Sequence, residues 1–256
     1  NKIKKILKKK NKSKIICLTA YSKNIAEIID DHADIVLVGD SLGSVIYNYD
    51  TTRKVNLNMM IEHTKSARMG VKKSLLVIDL PYNTYRNKSE ALKNSKKVIK
   101  ETKCDAVKVE GGTRVKEIVK HLVKNKIPVL GHIGITPQTT KGKFRSKGKN
   151  ESEKRKLLKD AQDLEQSGAF GIVLECIYSD ISKTITNLIN IPTIGIGASV
   201  NCDGQVLVTD DLIGLNETKF RFVKKFGNIK KYIKSAVIKY KNSVKQKKFP
   251  SKKNSY

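Results

Sequence analysis

Ile35–Gly43 reads IVLVGDSLG, an apolar run that ends on an aspartate inside a glycine-marked turn. The same arrangement recurs as LLVIDLP at Leu75–Pro81, VKVEGG at Val107–Gly112 and GIVLEC at Gly171–Cys176. Runs this rich in Val, Ile and Leu are the composition of parallel strands buried on both faces. Asp40, Asp79, Glu110 and Glu175 each stand where such a strand ends. Burial penalises a carboxylate that nothing pairs with, so four in equivalent positions call for a common explanation. In a barrel of parallel strands the carboxyl ends open on one mouth, and groups distant in sequence would ring one pocket there.

The rest of the chain fits that frame. Further strands are expected at Ile15–Ala20, Pro128–His132 and Pro192–Ile196, with a weaker eighth at Gln205–Thr209. Helical spacing lies between them: Ile25, Ile28 and Ile29 in one stretch, Leu157, Leu158, Ala161 and Leu164 in another. Gly168 supplies a C-terminal stop for the second. The 256 residues match the roughly 250 of a (β/α)8 barrel. The expected fold is therefore α/β, a single (β/α)8 TIM barrel over residues 1–256, with a doubly wound open sheet as the main rival. Residues 1–14 read as a basic N-terminal helix whose Ile3, Ile6 and Leu7 cap the barrel floor. Ile229, Ile233, Val237 and Tyr240 keep helical spacing, and a polar tail from about 245 to 256 is expected to be disordered. Lys141–Asn150, KGKFRSKGKN, reads as a mobile loop at the mouth; it lacks the GxxxxGK[ST] of a phosphate loop.

Hydrophobic residues make up 39% of the chain, and no apolar stretch approaches the roughly 18 residues of a membrane span. No secretory pattern opens the chain, which starts at Asn1 rather than Met. Cys17, Cys104, Cys176 and Cys202 are scattered without a CxxC pair, as in reduced thiols of a cytoplasmic protein. The net charge is +28, yet only seven of the 52 basic residues are arginines. A nucleic-acid reader leans on Arg for bidentate contacts, whereas lysine spread along the whole chain reads as a solvated surface. Neither a specific nucleic-acid partner nor a membrane is expected, and polyanion binding should be weak and salt-sensitive.

At the strand ends, Asp40 and Asp79 should be neighbours about 4.8 Å apart and repel each other unless a cation intervenes. Oxygen-only ligands favour a hard ion such as Mg2+. The alternative is that Asp40 or Ser41 caps the following helix. Lys108 and Glu110, two apart, face the interior while Val107 and Val109 meet the helices. They form either a self-satisfied ion pair or a functional one, with Lys108 holding a carboxylate or enolate oxygen and Glu110 ordering metal-bound water. Glu175, if desolvated, would have the raised pKa of a general base. His132 points to the mouth as a hydrogen-bonding partner for substrate. Gly195 and Gly197 allow close backbone approach there.

The segments LTAY, LVGDSLG, DLPY, VKVEGG, GHIGITPQ, LEC, GIGA and CDGQVLV, in this order from Leu18 to Val208, resemble the ketopantoate hydroxymethyltransferase family. The resemblance covers about residues 15–215. It implies a (β/α)8 enzyme of pantothenate synthesis that transfers a one-carbon unit from 5,10-methylenetetrahydrofolate to 3-methyl-2-oxobutanoate, giving 2-dehydropantoate. Carried across by motif, Asp40 and Asp79 bind Mg2+ with Glu110 assisting, and Asp40, Ser41, Asp79 and Lys108 contact the oxo acid. Glu175 is the proton acceptor, and the assembly is a homo-oligomer, a decamer by resemblance. Ser22, Ser199 and the basic loop with Phe144 and Arg145 depart from the family pattern at mouth loops, while the metal and proton-transfer positions are intact. Phosphoenolpyruvate mutase and 2-methylisocitrate lyase types are the rival enzymes on this scaffold, but their KKCGH-like loop is absent from the sequence.

Overall fold

A computed structural model describes residues 2–140, 145–217 and 220–256. They fall into two compact units, Asn1–Val208 and Thr209–Tyr256. The first unit runs α1 (Lys2–Leu7), β1 (Ile15–Thr19), α2 (Lys23–Ile29), β2 (Ile35–Val38), α3 (Leu42–Val45), α4 (Leu57–Gly70), β3 (Leu75–Asp79) and α5 (Lys88–Thr102). It continues with β4 (Ala106–Glu110), α6 (Lys116–Lys124), β5 (Val129–Gly134), α7 (Glu151–Gln166), β6 (Gly171–Glu175), α8 (Ser179–Leu188), β7 (Thr193–Ile196) and β8 (Gly204–Leu207). All eight strands are parallel and follow chain order, and β8 pairs with β1 to close the barrel. Closure removes the open-sheet alternative. Strict alternation fails between β7 and β8, which residues 197–203 join without a helix.

Side-chain alternation divides the apolar residues into two layers. Cys17, Ile35, Leu37, Leu75, Val77, Leu130, Val173 and Ile194 belong to one cluster, the barrel interior. Val36, Val38, Leu76, Ile78, Val107, Val109, Ile133 and Ile172 face the helices in the other. Lys108 and Glu110 therefore project inward between the outward Val107 and Val109. On α2, Ile29 is buried and Ile25 packs against the core, but Ile28 is 67% exposed and drops out of the expected stripe. Residues 141–144, part of the loop expected to be mobile, lie outside the described residues.

The floor is built from acid side chains that accept backbone N–H groups at the strand entrances. Asp34 takes Ile16, Asp105 takes Leu76 and Asp203 takes Thr193, each at 2.9 Å. The N-terminal segment lies across this ring: Lys9 pairs with Asp34 at 2.6 Å, Lys10 with Asp203 at 2.9 Å, and Ile6 is buried in the interior cluster. Asp30 holds a tighter turn, accepting the N–H groups of Lys72, Lys73 and Ser74 at 2.8–2.9 Å. Burial works against its charge, but those donors prevail and hold its pKa below the usual carboxylate range. Asp30→Ala should cost roughly 3 kcal/mol at pH 7, because several donors lose their acceptor together. The Asp30 contribution is complete above the unfolded pKa of about 3.9 and disappears as pH falls through the lower folded value. Urea unfolding should thus show a deficit at pH 7 that narrows towards pH 3.

The second unit contains α9 (Thr209–Leu212) and α10 (Ile229–Lys245). The Asn228 side chain accepts the Lys231 N–H at the start of α10. The expected helix is present, but none of its residues is buried; Ile233, Val237 and Tyr240 are all exposed. Residues 252–254 form a short 3-10 turn.

Candidate active site

Strand register sets the site. Asp79 on β3 stands beside Lys108 on β4, Glu110 beside His132 on β5, and Gly134 beside Glu175 on β6. The inward members meet in a continuous chain. Lys108 Nζ lies 2.6 Å from Asp79 Oδ1 and 3.9 Å from Glu110 Oε1. His132 Nδ1 lies 3.3 Å from Glu110 Oε1, and its Nε2 lies 3.2 Å from Glu175 Oε2. These are charge contacts outside hydrogen-bond geometry, so both imidazole nitrogens are buried without a hydrogen-bond partner among the described residues. Asp40 lies beyond the end of β2, in the turn, and its backbone N–H donates to Asp79 Oδ2 at 3.1 Å.

The capping alternative for this turn is not realised. Ser41 makes no side-chain bond to the first turn of α3; its hydroxyl meets the Tyr21 hydroxyl at 2.8 Å. Asp40 Oδ2 instead accepts from Gln138 Nε2 at 2.9 Å. Gly195, expected to let a ligand approach, is surrounded by chain: an added Cβ would meet Cys202 Sγ and the Gln205 side chain at 3.1 Å.

Asp40, Asp79, Lys108, Glu110 and His132 are all 5% exposed or less, whereas the Glu175 side chain keeps 21%. The sequence-based expectation of a desolvated Glu175 is thus met only in part: β6 ends there, Cys176 turns to φ +50°, and the carboxylate reaches solvent. Burial, then Asp79 and Glu110, push the Asp40 carboxyl well above its ordinary pKa. Burial and Glu110 also raise Asp79, although Lys108 opposes them. Burial disfavours the Lys108 ammonium, but Asp79, Glu110 and Asp40 outweigh it and hold the proton firmly. Burial likewise opposes Glu110 ionisation, and His132 with Lys108 prevails to lower its pKa. His132 is disfavoured as a cation by burial and Lys108, yet Glu110 and Glu175 raise it to about 9.

The donor set suits a divalent cation. Three buried carboxylates, Asp40, Asp79 and Glu110, share the interior with Lys108 and His132, and Asp40 Oδ1 has no partner among the described residues. No three His, Cys, Asp or Glu side chains among the described residues converge as a complete metal cage. A cation here would complete its shell from water and substrate, the habit of Mg2+, which one or two carboxylates hold. Both Glu110 oxygens are already engaged, Oε1 by His132 and Lys108 and Oε2 by the Gln138 N–H at 3.2 Å.

Three participants escaped the sequence reading. Gln138 is fully buried against Asp40 and Glu110, Tyr85 donates to its amide oxygen at 2.5 Å, and Arg53 Nε donates to its carbonyl at 2.9 Å. Gln138 does lie within the quoted GHIGITPQ segment, but nothing local assigns it a partner. Tyr85 and Arg53 carry no sequence signal at all.

The sequence model of the family described as ketopantoate hydroxymethyltransferase matches residues 1–252. A 3-methyl-2-oxobutanoate hydroxymethyltransferase of Pelagibacter ubique is 62% identical over all of this chain and 99% of its own length. Proteins of the same name from Rhizobium etli and Anaplasma marginale are 46% and 42% identical, over 93% and 97% of this chain and 88% and 90% of theirs. Among solved structures, a 2,3-dimethylmalate lyase of the PEP mutase/isocitrate lyase superfamily superposes with TM-score 0.60 at 12% identity, covering 99% of this chain and 87% of that one. A phosphonopyruvate hydrolase gives 0.59 at 10% identity, covering 99% and 93%. Identities this low speak for a shared barrel and nothing finer.

Proposed function

The chain belongs to the ketopantoate hydroxymethyltransferase family, and on that premise we propose that it transfers the one-carbon unit of 5,10-methylenetetrahydrofolate to 3-methyl-2-oxobutanoate, forming 2-dehydropantoate. One observation carries the assignment of parts. In the chain Asp79–Lys108–Glu110–His132–Glu175, every member is buried except the terminal Glu175, which is open to the mouth.

Asp40, through its unpartnered Oδ1, and Asp79 would hold Mg2+, with Glu110 beside them. The chemistry that a bound Mg2+ supplies is Lewis acidity towards the oxygens of the 2-oxo acid. Glu175 takes the proton from C3. Its solvent access lets substrate reach it, and the His132 imidazolium at 3.2 Å orients it without needing to leave the site. Lys108, pinned by Asp79 at 2.6 Å, presents a fixed positive charge towards the oxygen on which negative charge develops as C3 is deprotonated. C3 then bonds to the methylene carbon while both methylene–nitrogen bonds break, water supplies the hydroxyl oxygen, and tetrahydrofolate leaves with two protons on its nitrogens, one taken from C3 and one from that water. Ser41, held by Tyr21, lines the oxo-acid side.

The half-reaction tests this reading without the folate. Protein, Mg2+ and 3-methyl-2-oxobutanoate in D2O should exchange the C3 proton for deuterium, followed by NMR, and EDTA should stop the exchange. Absence of exchange, both without and with added tetrahydrofolate, would remove the enolisation step. Adding 5,10-methylenetetrahydrofolate should then yield 2-dehydropantoate.

A further inference from the structure

Gln138 follows β5 in the loop over the mouth, is fully buried, and has each of its polar atoms engaged. Its side-chain nitrogen donates to Asp40 Oδ2 at 2.9 Å and to the Leu80 carbonyl at 3.0 Å, while its side-chain oxygen accepts from the Tyr85 hydroxyl at 2.5 Å. Its backbone N–H donates to Glu110 Oε2 at 3.2 Å, and its carbonyl accepts from Arg53 Nε at 2.9 Å.

These partners settle the orientation of the amide. A peptide carbonyl only accepts, so the nitrogen must face Leu80, and its second hydrogen is then directed at Asp40. An Asp40 Oδ2 that accepts this hydrogen carries no proton on that side. Asp40 Oδ1, which has no partner among the described residues, is left as the oxygen available to a ligand. Tyr85 completes the lock: its hydroxyl also receives the Glu110 N–H at 3.3 Å, so it spends its own hydrogen on Gln138. Gln138 thereby contacts two of the inward carboxylates at once, one through its side chain and one through its backbone.

We propose that Gln138, braced by Tyr85, is a positioning residue that holds the Asp40 carboxylate with Oδ1 free to take a divalent cation and couples that orientation to Glu110. The inference rests on the reading of Asp40 and Asp79 as Mg2+ ligands. It assigns neither Gln138 nor Tyr85 to the cation itself; both act through Asp40. Gln138→Leu keeps the bulk and the backbone bonds but removes the donor. Gln138→Glu is nearly isosteric and sets a further acceptor against both Asp40 Oδ2 and the Leu80 carbonyl. Tyr85→Phe removes only the brace.

The test is Mg2+ titration by calorimetry on the full chain, together with the rise in melting temperature that Mg2+ produces. Gln138→Leu should bind Mg2+ at least about tenfold more weakly, as expected for a lost hydrogen bond to a charged group. Gln138→Glu should lose at least as much, and Tyr85→Phe about threefold. A purely structural role would lower melting equally with and without Mg2+; the proposal requires the Mg2+-induced rise itself to shrink. Wild-type Mg2+ affinity in a folded Gln138→Leu overturns the proposal, and should that variant not fold, unchanged affinity in Tyr85→Phe does the same. Wild-type protein that binds no Mg2+ overturns the metal reading along with it, whereas a wild type that binds while the variants match it overturns this inference alone.

Discussion

Glu175→Gln is expected to bind 3-methyl-2-oxobutanoate while losing deuterium exchange at C3 by at least about 10²-fold, the usual contribution of a positioned general base. The substitution preserves shape and a hydrogen-bonding carbonyl but offers no site for a proton at neutral pH. Two features make it a sharp test. Glu175 is the only carboxylate of the buried chain whose side chain reaches solvent, at 21%, so it alone is open to an incoming carbon acid. Its neighbours are already committed: Glu110 faces His132, Lys108 and Gln138, and Asp79 faces Lys108 and the Asp40 N–H. Asp40, whose Oδ1 has no partner among the described residues, is taken up by the cation in this reading. NMR exchange rates and a parallel binding titration separate chemistry from affinity, and exchange at the native rate in the variant would dismiss Glu175 as the base.

Lys108→Met should cost roughly 3–5 kcal/mol of stability, the penalty for stripping one partner from a buried ion pair. Met fills much of the volume, so the deficit reports charge rather than a cavity. Asp79, 2.6 Å from the ammonium, would be left buried beside Asp40 and Glu110 without a cation. The pH dependence follows from direction. The folded-state pKa of Asp79 is already raised, and losing Lys108 raises it further. A carboxyl that holds its proton more tightly when folded destabilises the fold as pH rises from the unfolded value through the folded one. The deficit should therefore be larger at pH 8 than at pH 5, and Mg2+ should recover part of it. Thermal unfolding by circular dichroism would show a drop on the order of 10 °C. A midpoint equal to wild type at pH 8 would mean that the pair contributes nothing.

Much of the barrel was legible because parallel strands buried on both faces leave an unmistakable apolar run. The strands expected to end on Asp79, Glu110 and Glu175 do end there, as Leu75–Asp79, Ala106–Glu110 and Gly171–Glu175. The inward aim of Lys108 and Glu110 followed from alternation alone, a local property of extended backbone. The stripe on α2 failed at Ile28, because helical spacing says which residues share a side but not how far a neighbouring element covers it.

The sequence by itself determined which residues end strands, which of them point inward, and that acid groups would gather at one mouth, since period-two alternation and closure of parallel strands require no knowledge of long-range contacts. Only the tertiary structure decided who touches whom. Register between β4, β5 and β6 put His132 between Glu110 and Glu175, and the end of β6 left Glu175 at the solvent edge. The paths of the loops after β2, β3 and β5 brought Arg53, Tyr85 and Gln138 onto the acid cluster. Hydrogen bonds between residues 53 to 98 positions apart depend on where irregular backbone runs in space, and irregular backbone carries no repeating signal from which its course can be read.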